Sequence, residues 1–392
     1  MMNHIERSHL EEYGTEPCAI AEVPQVVTLI GAFSDCIDGY AIMGTCDNGL
    51  KIAVSKRDDN TVKILNATKQ DKKKFQITNI KYRKEDRWAN CIKAILQEVA
   101  SSGFVLPGMN ITIQGESAIC DNPSFSSYAF IGMLFALEGL LGISFTKEEK
   151  KKMAFSSNRF SQAFQARLRD LITLLYSKED NLMFFDLSNH SYEFLEYPKK
   201  DNVSSLLIST AIPYTILTPE LEEFRQEANE VVGLIRKKLP KTMSIKNLNE
   251  KNIRQILNIS SEQKKGQLRF LVEDSECALN GWKALKNGDM ELFGKNMNLQ
   301  EKGLEMNAEL TSPEIDWIVK RGCEMKKLYG ICQIYTGVAG TLFALIDSSV
   351  DFPYTSQLEE YERIFGFHAN VCPYVPYGSA RSMRRDEYST CQ

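Results

Sequence analysis

Two carboxylates and one loop carry the residue types in this 392-residue chain that could do chemistry. Asp170, in the run Arg167-Leu168-Arg169-Asp170, could serve as a general base or electrostatic orienter for a hydroxyl group. It could equally be a helix-surface carboxylate paired with Arg167 or Arg169. Asp35 could accept a hydrogen bond from a bound hydroxyl, or cap a turn through its own backbone. The loop is Glu116–Phe125, between the alternating strand Ile111–Ile113 and the apolar helix Ser126–Leu141. An α/β protein holds an anion at such a place, against the N-terminus of the helix. Loops of this kind normally use glycines, because backbone N–H groups surround a phosphate only where positive φ is cheap and no Cβ intrudes. Here the apex is Asp121, Asn122 and Pro123. Pro123 removes one donor, and Asp121 places negative charge where a phosphate would sit. Ser126 and Ser127 could touch Mg²⁺ or phosphate, and Ser126 is the candidate metal contact. As N-caps of the helix both are explained without any ligand, which is the preferred reading. Gly337 and Gly340 would allow a tight strand-to-helix turn whatever binds there. The histidines His4, His9, His190 and His368 lack ligand-like spacing, and no Cys-x-x-Cys, G-x-S-x-G or G-K-[ST] signature occurs.

The elements that must position these residues can be read from periodicity and punctuation. A short helical lead-in is expected over His9–Gly14, then a buried strand over Val26–Ile30 between Pro24 and Gly31. Lys51–Ser55 and Thr61–Leu65 flank Arg57-Asp58-Asp59-Asn60, which predicts a hairpin. Trp88–Ser101 has helical spacing and stops at Gly103. Thr146 and Glu149 form a capping box for a helix whose basic run Lys150–Lys152 is expected to be a solvated face. Gln162–Tyr176 reads as a helix and Leu182–Asp186 as a strand. Beyond it, helices are expected over Pro219–Leu239, Glu250–Ile259, Gly266–Asn287, Asp289–Glu305, Pro313–Leu328 and near Gln357–Phe365. Strands are expected at Ile331–Tyr335, Leu342–Ile346 and near Ala369–Val375. Strands and helices alternate without a regular βαβ rhythm, so the expected class is α+β.

At this length two domains are the default, and the polar, proline-bearing Tyr197–Val203 is the expected boundary, giving domains 1–200 and 201–392. The net charge of −4 gives no electrostatic reason to expect nucleic acid or an acidic membrane as partner. Ten scattered cysteines, several in apolar runs, suggest reduced thiols in a cytoplasmic protein. The N-terminal residues are polar with no signal-peptide pattern, and no apolar run reaches roughly 18 residues, so no membrane span is expected.

With these segments in view, the chain resembles the galactokinases of the GHMP small-molecule kinase family. LEEYGTEP followed by VVTLIGAFSDCIDGY is similar to the family opening, Phe/Tyr-Gly-x-x-Pro and then R-V-N-L-I-G-E-H-T-D-Y-N-x-G. Arg57-Asp58-Asp59 and Trp88-x-Asn90 fall where the family has similar residues. GWKALKNGDMELFGKNMNLQEKGLEMNAELTSPEIDWIV follows, without a gap, A-L-x-x-G-D-x-x-x-F-G-x-L-M-N through to P-E-L-D. The resemblance implies a ribosomal-S5-like N-terminal domain, a ferredoxin-like C-terminal domain and a ligand cleft between them. It implies ATP and Mg²⁺ as cofactors and transfer of the γ-phosphoryl group to the 1-OH of galactose.

Carried over position by position, the resemblance places the family arginine near the transferred phosphate on Val26. The sugar-binding Glu and His fall on Ala32 and Phe33, and the sugar-binding Asp is matched by Asp35. The nucleotide loop G-x-G-L-S-S-S-A-A aligns with Asp121 to Ala129, of which Ser126, Ser127 and Ala129 agree. The catalytic Asp of G-x-M-D-Q falls on Asp170, with Arg167 and Leu171 at the Gly and Gln, and a sugar-stacking Tyr falls on Leu221. The motif G-x-R-M-T-G-x-G-F-G-G aligns with Gly330 to Gly340 and keeps Gly330, Gly337 and Gly340. One lost oxyanion-type donor costs about 10²–10³ in rate, and a charge-stabilising Arg about 10³–10⁵. The favoured expectation is therefore a catalytically impaired galactokinase relative, a pseudokinase, binding a galactose-like sugar or a protein partner, with ATP and Mg²⁺ if active and otherwise no cofactor. The alternative is an active small-molecule kinase using Asp170. A third reading is a scaffold whose cleft is filled by Phe33, Phe125 and Tyr335.

Overall fold

The computed structural model describes residues 3–115, 124–162, 165–198, 203–238, 244–248, 262–336, 340–349 and 354–383. In chain order the principal elements begin with α1 (His4–Tyr13), β1 (Ala19–Ile30), β2 (Tyr40–Lys56), β3 (Thr61–Asn66) and β4 (Asp71–Gln76). α2 (Ala89–Ser101), β5 (Met109–Gly115), α3 (Phe125–Leu141), α4 (Lys147–Ser156) and α5 (Leu168–Tyr176) follow. Next come β6 (Asn181–Asp186), β7 (Ser191–Glu196), β8 (Val203–Ser209), α6 (Tyr214–Lys238), α7 (Glu262–Lys286) and α8 (Met290–Gly303). The last are α9 (Pro313–Cys323), β9 (Leu328–Thr336), β10 (Thr341–Asp347), α10 (Tyr354–Phe365), β11 (Asn370–Pro373) and β12 (Arg381–Met383). The helix expected over Glu250–Ile259 lies outside the described residues.

The chain packs as two compact units interleaved in sequence. The first takes its described residues from Met1–Val26, Thr45–Glu179 and Tyr377–Gln392, and the second from Val27–Gly44 and Asp180–Pro376. β1 and β2 each contribute one part to one unit and the remainder to the other.

In the first unit α1 starts five residues earlier than periodicity suggested. Asn3 accepts the Glu6 N–H while the Glu6 carboxylate accepts the Asn3 N–H, a reciprocal cap that fixes the start at His4. Gly14 ends the helix in the left-handed region at φ 68°. The expected hairpin across Arg57–Asn60 does not form. β5 lies between the two strands, antiparallel to β2 and parallel to β3, and β3 makes its hairpin with β4 instead. β5 is buried from Met109 to Ile113, and a parallel neighbour reached through a crossover helix, here α2, gives both of its edges a partner. Arg57 turns the chain by donating its backbone N–H to Gly108 O at 2.9 Å while its guanidinium grips Asp59. β1 continues through Pro24, which lies between the stretch paired to β12 (Ile20–Glu22) and its last residues. β2 approaches so closely there that a Cβ at Gly49 would overlap the Val23 carbonyl oxygen.

α3 is apolar nearly all round and buried along most of its length. The capping box of α4 forms as expected, with Thr146 and Glu149 exchanging bonds. Its basic run is not wholly solvated. Lys150 is buried, donating to the Glu138 carboxylate at 2.7 Å and the Phe145 carbonyl at 2.8 Å. The helix expected from Gln162 begins only at Leu168, because Asn158 holds Ala166 through both its N–H and C=O and Arg167 stays extended.

In the second unit β8 lies between β10 and β11, all antiparallel, and β10 pairs with β9. β9 continues onto the last part of β1 through Val27 and Thr28. Tyr40–Met43 of β2 pair with β6, which forms a hairpin with β7. One core gathers Phe33, Phe224 and Phe270 edge-to-face, with centroids 5.1–5.9 Å apart. A second surrounds the buried Tyr361 with Ile208, Ile315, Ile331 and Leu342. α8 presses on β9 at the Gly294–Gly330 crossing, where a Cβ on either residue would collide with the other backbone.

Candidate functional site

Each unit holds part of what the sequence singled out. In the first unit Asp170 lies in the opening turn of α5 at 4% exposure, so it is not a helix-surface carboxylate. Beside it Arg169, also buried, places Nε 3.6 Å from Asp170 Oδ1. The residue before the helix, Arg167, donates its backbone N–H to Ser127 Oγ at 3.3 Å, tying the first turn of α3 to the start of α5. Tyr128, in the same turn of α3, is buried, and its hydroxyl accepts the Val26 N–H at 3.0 Å. Burial first, then the Asp170 charge, push this phenol far above its ordinary range. Val26, Tyr128, Asp170 and the Arg167 charge are therefore neighbours within one unit.

Ser126 and Ser127 do not cap α3. The cap position is Ser124, whose side chain makes no capping bond, and both serines are fully buried inside the first turn. Phe125 is buried with them. Asp121, Asn122 and Pro123 lie outside the described residues, as does Gly337.

In the second unit Asp35 sits on a short 3₁₀ turn, Ser34–Ile37. Its carboxylate neither caps that turn nor lacks a partner. Arg225 of α6 places Nη1 3.1 Å from each of its oxygens and donates through Nη2 to the Ala32 carbonyl at 3.1 Å. The same guanidinium lies over the Phe33 ring, 4.8 Å from its centroid. Phe33 is fully buried in the aromatic core. Asp274 of α7 holds this segment from beneath, accepting the Gly31 N–H at 3.2 Å and the Phe33 N–H at 3.1 Å. Leu221 packs against the two apolar cores as a hydrophobic contact. Gly340 adopts φ +67°, and a Cβ there would overlap Thr210 Oγ1, so glycine is required by conformation and by space. Arg225 and Asp274 escaped the reading of the sequence because each stands about 190–240 residues from its partner, with no local signal linking them.

A further buried carboxylate belongs to the second unit. Glu301 of α8 accepts the Gln333 N–H at 2.6 Å, and burial raises it to about 7. The first unit has a buried imidazole, His9, between Thr112 Oγ1 at 2.8 Å and Ser55 Oγ at 2.9 Å, lowered to about 4 by burial. Among the described residues no group of three or more His, Cys, Asp or Glu side chains could hold a metal ion. Among them, too, no helix is long and apolar enough to cross a membrane.

No family model matches the chain. A Treponema pallidum (strain Nichols) protein provisionally named galactokinase is 27% identical over 378 residues, covering 94% of this chain and 93% of that one. The galactokinase of Pyrococcus furiosus is 25% identical over 324 residues, covering 83% and 88%. Among solved structures, that of Lactococcus lactis galactokinase complexed with galactose superposes with a TM-score of 0.81 at 18% identity, covering 96% of this chain and 98% of that one. A mevalonate kinase superposes with a TM-score of 0.55 at 16% identity, covering 93% and 99%. The α+β fold is thus like that of galactokinase and mevalonate kinase, and along nearly its whole length the sequence is similar to galactokinases.

Proposed function

We propose that the chain is an ATP- and Mg²⁺-dependent phosphotransferase acting on a hydroxyl of a galactose-like sugar or related polyol, with Asp170 as its catalytic carboxylate. The observation that supports this most is the buried Asp170 beside Arg169, joined through Arg167 and Ser127 to the first turn of α3. A buried carboxylate in the opening turn of a helix, where the macrodipole favours negative charge, suits an acceptor for the proton of an attacking hydroxyl. The start of α3 suits an anion, since the dipole of the helix is positive there. ATP bound there would supply the phosphoryl group and Mg²⁺ would neutralise its charge, with Ser126 and Ser127 the hydroxyls that the motif singles out in this turn. The similarity to galactokinases over more than nine-tenths of the chain favours turnover over a lost activity. The setting of such an enzyme would be cytoplasmic. The test is an ADP-release assay with ATP and Mg²⁺ across galactose, other hexoses and polyols. Turnover that disappears in Asp170→Asn is the expected result, and no turnover with any substrate overturns the reading.

A second reading is favoured by the other carboxylate. Asp35 is engaged on both oxygens by Arg225, and Phe33 is packed into the core. A sugar that relied on these positions would have to displace an ion pair and an aromatic contact. On this reading the chain is an impaired kinase whose sugar-like ligand binds only by displacing Arg225 from Asp35. Titration calorimetry separates the two: galactose binding without ADP or ATP binding in the presence of Mg²⁺ supports the second reading, and micromolar nucleotide binding removes it.

A further inference from the structure

We propose that Asp274 is a positioning residue for sugar recognition, holding the loop between β1 and β2 in the conformation that presents Asp35. The inference deepens the sugar reading given above and rests on Asp35 as a contact for the ligand. The loop runs from Gly31 to Gly39, and its 3₁₀ turn carries Asp35. Asp274, within α7 and 1% exposed, gives one oxygen to each of two amides. Its Oδ1 accepts the Gly31 N–H at 3.2 Å and its Oδ2 the Phe33 N–H at 3.1 Å. The next residue of α7, Ser275, accepts the Tyr40 N–H through Oγ at 3.0 Å. Two consecutive side chains of one helix therefore fasten both ends of the loop. Gln300 of α8 adds a second acceptor for the Gly31 N–H at 3.2 Å and donates to the Gln333 carbonyl of β9 at 3.2 Å. The ends close tightly. Gly31 sits at φ +90°, where a Cβ would overlap the Tyr40 carbonyl oxygen, and a Cβ at Gly39 would lie 2.5 Å from Ser275 Oγ. Between these anchors the turn closes on itself, the Gly39 N–H donating to the Ser34 carbonyl at 2.8 Å. A side chain that only filled the core here would be apolar. A carboxyl group is tolerated at this depth when both of its oxygens find donors, as they do. Asp35 follows the Phe33 amide by two residues, so its direction is set by backbone that Asp274 holds. Because Asp274 is itself buried, its effect on a ligand passes through the loop.

The experiment reads the loop first and the sugar second. Asn has nearly the shape of Asp but keeps a single acceptor, so Asp274→Asn turns a donor toward one of the two amides. Gly31 retains Gln300, so the Phe33 amide is the one expected to lose protection. Hydrogen exchange with mass spectrometry on the full chain should show faster exchange at residues 29–40, by about ten- to a hundredfold, the scale of one buried donor left unsatisfied. Exchange in β10 should be unchanged. Unaltered protection at residues 29–40 overturns the inference, as does an equal loss in β10, which marks general loosening. Titration calorimetry with galactose supplies a readout that destabilisation alone does not move. Binding should weaken by about tenfold in Asp274→Asn, and by no further factor when the same substitution is made in Asp35→Asn protein. Equal losses in both backgrounds overturn the link from Asp274 to Asp35. Under turnover the loss should fall on KM, with kcat within about threefold of native. Should Asp274→Asn fold poorly, Gln300→Met leaves Asp274 as an acceptor for the Gly31 N–H and should keep loop protection within about tenfold of native. Complete loss of protection in that variant assigns the hold to Gln300 and overturns the inference. Native protein that binds no galactose sinks the sugar reading alone, and the exchange result then decides this inference by itself.

Discussion

The two candidate carboxylates occupy contrasting surroundings. Asp170, in the first unit, is nearly inaccessible and has its cation beside it in the same helical turn. Asp35, in the second, keeps 27% of its side chain exposed and is clasped by an arginine from a helix 190 residues further along the chain. A buried charge held by its neighbour in sequence is costly to lose, whereas a half-exposed pair between distant elements contributes about 1 kcal/mol at most. The difference teaches that one candidate carboxylate is set by its own helical turn. The other is held by an ion pair between distant elements that a ligand could replace.

The largest effect expected concerns that contrast directly. Asp170→Asn should lower kcat by about 10²–10⁴ with little change in KM, and Asp35→Asn should leave kcat within about tenfold of native. Steady-state kinetics on both variants checks it, and equal losses of kcat would erase the distinction between the units.

Next in size is an opposition in pH response. His9 in the first unit, lowered from 6.5 to about 4, is stabilising as the neutral form; that contribution is complete above pH 6.5 and is lost as pH falls through 4. Glu301 in the second, raised from 4.5 to about 7, works the other way: its contribution is complete below pH 4.5 and is lost as pH rises through 7. Each is of the order of 3 kcal/mol. Urea denaturation between pH 4.5 and 7 should therefore show His9→Gln losing the acid-side slope and Glu301→Gln losing the opposite one. A Glu301→Gln variant no more stable than native at pH 7, relative to pH 5, would show that Glu301 does not act in this way.

A third effect tests how rigid the second unit is. Gly340→Ala forces a Cβ against Thr210 at φ +67°, and should destabilise by about 1–3 kcal/mol in thermal unfolding. The smallest expected effect is that of Arg225→Gln, about 1 kcal/mol of stability or less. Because it frees the Asp35 oxygens, it should nevertheless increase binding of galactose measured by calorimetry, and a decrease would mean that Arg225 itself serves the ligand.

What could be read from the residues followed how local each determinant is. The Thr146–Glu149 cap and the apolar α3 are local patterns, and they appeared where expected, whereas the helix expected over Pro313–Leu328 stops at Cys323 and Leu328 opens β9. The hairpin at Arg57–Asn60 failed because the rival for the β2 edge, β5, lies about fifty residues downstream and offered a better-buried partner. The charged strand β4, with Asp71 and Lys72 to Lys74, was missed since its residues lack apolar alternation, and only its pairing with β3 reveals it. Lys150 read as a surface lysine because nothing nearby announces Glu138, twelve residues back across a helix end. At the candidate site Asp170 was legible from its motif, and its burial was not. The pairing of Asp35 with Arg225 is tertiary and could not be read at all.

The interleaving of the two units has a consequence for how the nascent chain matures. Glu22, near the start of β1, meets Arg381 of the β12 segment 359 residues later, so the first unit lacks an edge strand until that segment has left the ribosome. The second, drawing on residues between 27 and 376, can close sooner. Translation arrested anywhere between them would leave a finished core tethered to an open one, a state suited to capture by a chaperone and accessible to proteases.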